Sequence, residues 1–201
     1  QALGVIRICI ENRVSVDIID CFHKSETIYG KGFKIDTTLE YIFDRLYGYY
    51  SDRGVPKDVV EAAVSKRVKD GNLVTLDATI RALHEFQASP TAESIVAANK
   101  RVKNLLKKVD VKILPSAFDT RIATDSTEKE LHLCIQKLDF GSKSSIGDKF
   151  EALATLQRPI NSFFDQVMVM EDDTRIRNNR LALLRELETK FLELADFSLL
   201  K

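Results

Sequence analysis

Helix-breaking residues are scarce in this chain of 201 residues, which contains only four prolines and eight glycines. Hydrophobic residues make up 44% of the sequence and charged residues 30%. That composition is typical of a globular, mainly helical protein and excludes a disordered, low-complexity chain. No hairpin dipeptide separates alternating strands, and no segment recurs at a fixed period. We therefore predict an all-α fold, a helical bundle.

An excess of either charge is also missing, since thirty Lys and Arg residues balance thirty Asp and Glu residues. Without a net charge, no field of the whole chain attracts nucleic acid or membrane, and any basic site must be local. No apolar run approaches the roughly 20 residues that a membrane-spanning helix needs. The cysteines Cys9, Cys21 and Cys134 lack the short spacing of metal or redox motifs. We expect a cytoplasmic protein without a membrane partner.

Catalytic motifs are absent as well. The sequence contains no GxxxxGK[ST], GxGxxG or HExxH pattern. The histidines His23, His84 and His132 lie far apart in the sequence. Asp20 and His23 have the spacing of a pair of ligands on one helix face, but two ligands without others are weak evidence for a metal site. We predict neither a catalytic residue nor a metal site, and no cofactor bound within this chain.

Two stretches carry information about boundaries. The opening residues, QALGVIRICIEN, already show helical apolar spacing without a starting methionine or a capping residue. We expect them to begin inside a helix of a longer protein. Residues 110–126 have no clear period and contain Pro115, which predicts the longest loop. Thr127 and Glu130 have the spacing of a capping box for the next helix.

The segment AANKRVKNLLKK, residues 97–108, contains five cations and no acid. On a helical wheel its apolar residues share one face, and Lys100, Asn104 and Lys107 lie opposite, flanked by Lys103 and Arg101. Exposed helix faces ordinarily intersperse acids that pair with such cations. The segment is therefore either a solvated face or a surface that binds a polyanion.

A second basic cluster opens the last helix, where TRIRNNR supplies Arg175, Arg177 and Arg180. Arg180 falls within the apolar stripe of this helix. A guanidinium in a core needs a carboxylate or carbonyl partner, and we predict Asp165 as a candidate. The pairs Phe163–Phe164 and Met168/Met170, just upstream, are predicted to be core residues and not a base-stacking platform.

Longer segments resemble a known family. The run RPINSFFDQVMVMEDDTRIRNNRLALLRELETKFLELADFSLLK, the segment SIVAANKRVKNLLKK and the opening QALGVIRI resemble the C-terminal end of the β subunit of bacterial glycyl-tRNA synthetases. The resemblance spans nearly the whole chain and is most specific in FFDQVMVM, RNNRLALL and ADFSLL. It is weak over residues 55–75 and 111–124.

The resemblance implies a domain organisation. In that family a helical DALR-type anticodon-binding domain follows a domain similar to HD-type phosphohydrolases. It implies that residues 1–35 are the last helices of the HD-like domain. Residues 36–201 would then form the anticodon-binding domain, with a DALR-like core at about 91–201.

The resemblance also implies a function: binding of the anticodon arm of tRNA(Gly), within an enzyme of two α and two β subunits. Glycylation by the whole enzyme uses ATP and magnesium together with the α subunit, and this fragment is expected to be non-catalytic. Residues in the matching segments are carried over as expected tRNA contacts: Asn99, Lys100, Arg101, Lys103, Asn104, Lys107, Arg175, Arg177 and Asn179. The alternative is a helical protein-interaction module whose basic faces dock the α subunit or another acidic partner.

Overall fold

A computed structural model describes residues 1–30, 35–65, 71–138, 140–141 and 145–201. The described residues form α-helices, two short 3₁₀ turns and no β-strand, which confirms the all-α prediction. The helices are α1 (Ala2–Glu11), α2 (Ile18–Tyr29), α3 (Ile35–Ser51), α4 (Lys57–Val64), α5 (Leu73–Gln87), α6 (Ala92–Leu106), α7 (Ser126–Lys137), α8 (Ile146–Ala154), α9 (Gln157–Gln166) and α10 (Thr174–Leu194).

The start of α7 shows how local chemistry sets a helix boundary. The Asp125 carboxylate accepts a hydrogen bond from the backbone N–H of Thr127, and the Glu128 carboxylate accepts one from the N–H of Asp125. This is a capping box, which satisfies N–H groups that have no partner inside the helix. The predicted box of Thr127 and Glu130 was therefore wrong by two residues, because Asp125 is the residue that caps the first turn.

The chain divides into two compact units. The first comprises residues 1–85 and 199–201, and the second comprises residues 86–198. The division falls inside α5. The boundary between residues 35 and 36, which the family resemblance implies, stays a prediction. In the first unit α1 and α2 both pack on α3, so residues 1–35 share a core with the helix after them. The origin of these helices in an HD-like domain also stays a prediction, and residues 31–34, just before the boundary that the resemblance implies, lie outside the described residues.

Tyr50 lies at the centre of the first unit, where its ring is 1% exposed. Its hydroxyl donates a hydrogen bond to Asp77 at 2.7 Å, tying α3 to α5. Burial and this hydrogen bond raise the pKa of the Tyr50 hydroxyl well above its ordinary value. The hydroxyl therefore stays protonated and remains a donor to Asp77.

The second unit is built around α10, which packs against α6, α7 and α8, while α9 packs against α6 and α7. All of its leucines except Leu192 are buried along the core side of the helix. Beyond its end, Phe197 contacts the rings of Phe86, Phe150 and Phe191 with centroids less than 6 Å apart. Aromatic pairs at such distances add to the stability that burial alone provides.

No helix within the described ranges is both long enough and apolar enough to cross a membrane.

We predict that Gly71→Ala destabilises the first unit. A Cβ atom at this position would lie 2.7 Å from the backbone nitrogen of Ile19 and closer still to the Asp17 carboxylate, which caps α2. Overpacking of this kind costs about 1–3 kcal/mol, which urea-induced unfolding followed by circular dichroism would measure.

The control for this substitution is Gly48→Ala on α3, where an added Cβ would meet nothing within 4 Å. Alanine in an exposed helix interior is favoured over glycine by about 0.5–1 kcal/mol, so this variant should be slightly more stable. Equal effects of the two substitutions would contradict the close approach at Gly71.

Candidate nucleic-acid interface

Helix α6 presents a buried apolar face and an exposed cationic one, as the wheel predicted. Ile95 and Val102 are fully buried, whereas Arg101, Asn104 and Lys107 are exposed. Lys100 is half-buried. Lys107 is the C-cap of the helix, and Lys108, which follows it, is also exposed. The described residues supply no ion-pair partner to Lys100, Arg101, Lys107 or Lys108, so these four charges are available to a ligand.

Lys103 differs from the other cations of α6, because its ammonium group is already bound within the fold. Its Nζ lies 2.6 Å from Asp196 Oδ2 and 2.8 Å from the Ser198 hydroxyl, and its side chain is only 29% exposed. Burial alone would raise the pKa of Asp196, but Lys103 and Ser198 together hold it below its ordinary value. Lys103 therefore has a structural role within the fold, and its charge is not open to a ligand.

Two asparagines expected to touch tRNA are buried. Asn99 and Asn179 are each 1% exposed. Asn179 receives a hydrogen bond from the backbone N–H of Asp119 at 2.8 Å and donates one to the Asp119 carbonyl at 3.0 Å. The amide oxygen of Asn99 has no hydrogen-bond partner among the described residues. Neither side chain lies where a docked RNA could reach it without rearrangement.

The start of α10 is capped by Asp173, whose carboxylate accepts from the backbone N–H groups of Arg175 and Ile176. Arg177 is half-buried and folds back, donating to the Glu171 carbonyl at 2.8 Å and to the Thr174 hydroxyl at 3.1 Å. Of Arg175 and Arg177, only Arg175 is exposed. Of the cations predicted here as tRNA contacts, Arg175 is the available one.

Arg175 and Arg121, which lies in the loop between α6 and α7, both act on the Asp119 carboxylate and form a small basic patch with it. Arg121 donates two hydrogen bonds to the Asp119 carboxylate and is itself 88% exposed. These bonds, with the backbone N–H of Arg121 and a smaller electrostatic contribution from Arg175, lower the pKa of Asp119 to about 2. Asp119 therefore stays ionised at neutral pH and offsets part of the charge of both arginines.

The two predicted basic clusters do not coincide. Lys103 binds Asp196, beyond the C-terminal end of α10, whereas Arg175 lies in its first turn. Between these two points lies nearly the whole of α10, a helix of 21 residues, which at 1.5 Å per residue spans roughly 30 Å. A ligand on the Lys103 side of α6 would have to be extended to reach Arg175 as well.

The long loop between α6 and α7 is held on α10, which the sequence analysis did not anticipate. Arg185 donates to the backbone carbonyls of Pro115 and Ser116, the latter at 2.8 Å. Glu186 accepts from the Phe118 backbone N–H at 2.8 Å and contacts His132 Nδ1 at 3.0 Å. The backbone groups of a long loop need hydrogen-bond partners. The polar residues Arg185 and Glu186, beside the apolar stripe of α10, were the signal in the sequence for such partners.

Arg180 is 5% exposed, in the core as the wheel predicted, but its partner is not Asp165. Its guanidinium donates to Glu128 Oε1 on α7 from Nε at 3.3 Å and from Nη2 at 3.1 Å. Further bonds reach the Thr124 hydroxyl and the Met168 carbonyl, each at 2.8 Å. Asp165 lies exposed on α9, so the prediction of this partner was wrong, and only the fold could bring Glu128 to the arginine.

The predicted core assignment of the methionine pair was also wrong. Met168 is 70% exposed and Met170 41%, while Val167 and Val169 are each 5% exposed. The segment follows the end of α9, where the backbone of Val167 is extended, and its side chains alternate between buried and exposed. Of the aromatic pair, Phe163 is buried as predicted and Phe164 is half-buried.

The second unit matches a known family model. The model described as the DALR anticodon binding domain covers residues 95–195, from the first half of α6 to the end of α10. The chain belongs to this family. Its DALR domain falls inside the second compact unit, residues 86–198.

Relatives extend the likeness to the whole chain. Over 209 aligned residues the chain is 34% identical to the glycine–tRNA ligase beta subunit of Shewanella halifaxensis, covering 100% of this chain and 30% of that protein. The beta subunit of Pasteurella multocida gives the same identity and coverage, and one from Shewanella baltica is 32% identical. The chain therefore spans about 30% of the length of these curated relatives.

We predict that Arg180→Met destabilises the DALR domain strongly. Glu128, whose side chain is fully buried, would lose its cation, and breaking such a buried pair costs about 3–5 kcal/mol. Unfolding in urea, followed by circular dichroism, measures the loss.

The compensating variant is Arg180→Met with Glu128→Leu, which removes both charges and should recover most of the lost stability. The capping role of Glu128 makes the recovery incomplete. Arg175→Met, at an exposed position, serves as the control. If Arg180→Met and Arg175→Met have the same free energy of unfolding, the buried pair does not stabilise this domain.

Lys103→Met should destabilise the domain in a pH-dependent way. The folded-state pKa of Asp196 is below its unfolded value of roughly 3.9, so the pair contributes stability above that pH and loses it as the pH falls through the folded-state pKa. We expect the difference from wild type to be about 1–3 kcal/mol at pH 7 and to shrink below about pH 4. Lys107→Met, at an exposed lysine, should show no such pH dependence.

Proposed function

We propose that the DALR domain of this chain binds the anticodon arm of tRNA(Gly), and that the chain is the C-terminal part of a glycine–tRNA ligase beta subunit. The observation that carries the proposal is the likeness along the whole chain to such beta subunits, together with the family match over the second unit. An anticodon loop offers unpaired bases that a protein can stack on and hydrogen-bond.

The exposed side of α6 supports this proposal. Arg101, Lys107 and Lys108 have no carboxylate partner among the described residues, and Asn104 is exposed beside them. Lysine and arginine gain affinity for RNA by releasing counterions from phosphates, and asparagine can bind a phosphate or a base edge. The whole chain has no net charge, so a site for a polyanion requires a local group of cations without internal partners, as on this side of α6.

In the complete enzyme this chain would contribute binding and no chemistry. Glycine activation with ATP and magnesium would take place elsewhere, with the alpha subunit, in a cytoplasmic assembly of two alpha and two beta subunits. The absence of catalytic motifs from the sequence agrees with that division of labour. What the DALR domain supplies is orientation of the tRNA, which lowers the entropic cost of a productive complex.

The test compares binding of tRNA(Gly) with binding of the same tRNA carrying a changed anticodon. We expect the 201-residue chain to prefer the unchanged tRNA in fluorescence anisotropy titrations, with affinity falling as salt rises. Equal affinity for both tRNAs would contradict anticodon recognition. It would favour the competing hypothesis, a basic face that docks an acidic protein.

Lys107→Gln/Lys108→Gln should weaken binding of both tRNAs. The slope of log K against log salt should become shallower by about 0.7–0.9 for each phosphate contact that is lost. The matched control is Lys24→Gln/Lys57→Gln, which removes two exposed lysines of the first unit and should leave the slope unchanged. Lys103 is unsuitable for this test, because its replacement also breaks the contact with Asp196.

A further inference from the structure

Arg101 is stacked on an aromatic ring at the surface of the DALR domain. Its guanidinium carbon lies 4.1 Å from the centroid of the Phe164 ring, so a residue of α6 covers a residue of α9. Arg101 is exposed, and no carboxylate or carbonyl among the described residues binds it. Its hydrogen-bond donors and one face of its plane are therefore available to a ligand.

The ring beneath the guanidinium is fixed from the core side. Phe164 contacts Phe163 edge to face with centroids 5.3 Å apart, and Phe163 is fully buried. Helix α9, which carries both rings, packs against α6 and α7. The stack thus runs from the interior to solvent through Phe163, Phe164 and Arg101. Because Arg101 is already held on the ring, its side chain loses little conformational entropy when a ligand binds.

Polar groups suited to a base edge surround the stack. Asn104 is exposed one turn after Arg101 on α6, and Asn161 is exposed one turn before Phe164 on α9. Asn161 Oδ1 contacts the Ser94 hydroxyl at 3.1 Å, which links α9 to α6. Asp165 follows Asn161 by one turn and is also exposed; its carboxylate disfavours a phosphate here and can accept hydrogen bonds from base amino groups.

We propose that Arg101 and Phe164 form a platform on which one unpaired base of the RNA stacks. The inference rests on the proposed function and deepens it by naming the residues that receive a base. Guanidinium planes and aromatic rings are the surfaces on which proteins hold splayed bases. Lys107 and Lys108 neutralise phosphates of the same strand, so the platform contributes base contact and the lysines contribute charge.

The experiment uses the 201-residue chain and an anticodon-arm hairpin of tRNA(Gly) in which each loop base in turn is replaced by fluorescent 2-aminopurine. Binding should quench the fluorescence at one loop position. Arg101→Lys keeps the charge but removes the plane, so it should abolish this quenching and weaken binding roughly 10-fold, within the range of one base stack. Phe164→Leu should act in the same direction, with thermal melting confirming that it is folded.

Two controls separate stacking from charge. A hairpin that lacks the base at the quenched position should bind wild type and Arg101→Lys equally. The same change at Arg7, an exposed arginine of α1, should leave binding and quenching unaltered.

The results that overturn the inference differ from those that overturn the proposed function. If the wild-type chain binds the hairpin but Arg101→Lys binds and quenches like wild type, the platform is wrong and RNA binding stands. An equal loss of affinity for the hairpin without the base would show a phosphate contact, which also overturns the platform. If the wild-type chain does not bind the hairpin at all, both proposals fail.

Discussion

The buried ion pair of Arg180 and Glu128 is the interaction on which the contacts of the DALR domain depend. A charge enclosed in a core without a partner is so unfavourable that the fold has to bring these two residues together, and their pairing sets α7 against α10. The same guanidinium binds the Thr124 hydroxyl and the Met168 carbonyl, so the segments before α7 and after α9 are anchored with it. His132 and Glu186 join the two helices again about a turn further along.

Basic residues in this domain divide by what they already bind. Lys103, Arg177 and Arg185 donate to acceptors of the fold, a carboxylate in one case and backbone carbonyls in the others. Arg101 and the lysine pair after α6 have no such partner among the described residues. Residue type alone therefore does not locate the RNA-facing surface of a chain with no net charge. The charges that remain after the internal partners are satisfied are the ones that can release counterions from a polyanion.

Helical periodicity is local, which is why the sequence predicted the all-α class, the buried face of α6 and the burial of Arg180. The partner of Arg180 could not be predicted in the same way, because Glu128 lies 52 residues away and nearer carboxylates such as Asp165 compete for the assignment. The prediction for Met168 failed for another reason: the segment lies beyond the end of α9, so its alternating burial has no helical spacing to reveal it. Asn179 and Lys103 looked like surface residues because their partners, Asp119 and Asp196, belong to distant segments of the chain.

The most direct measurement is lysine footprinting: acetylation of the chain, free and bound to tRNA(Gly), quantified by mass spectrometry. We expect Lys107 and Lys108 to react in the free chain and to be protected by the tRNA, since both are exposed without an internal partner. Lys103 should react slowly in both states, because its ammonium is held by Asp196 and Ser198. Rapid acetylation of Lys103 in the free chain, or no protection of Lys107 and Lys108 in the complex, would contradict this division of the cations.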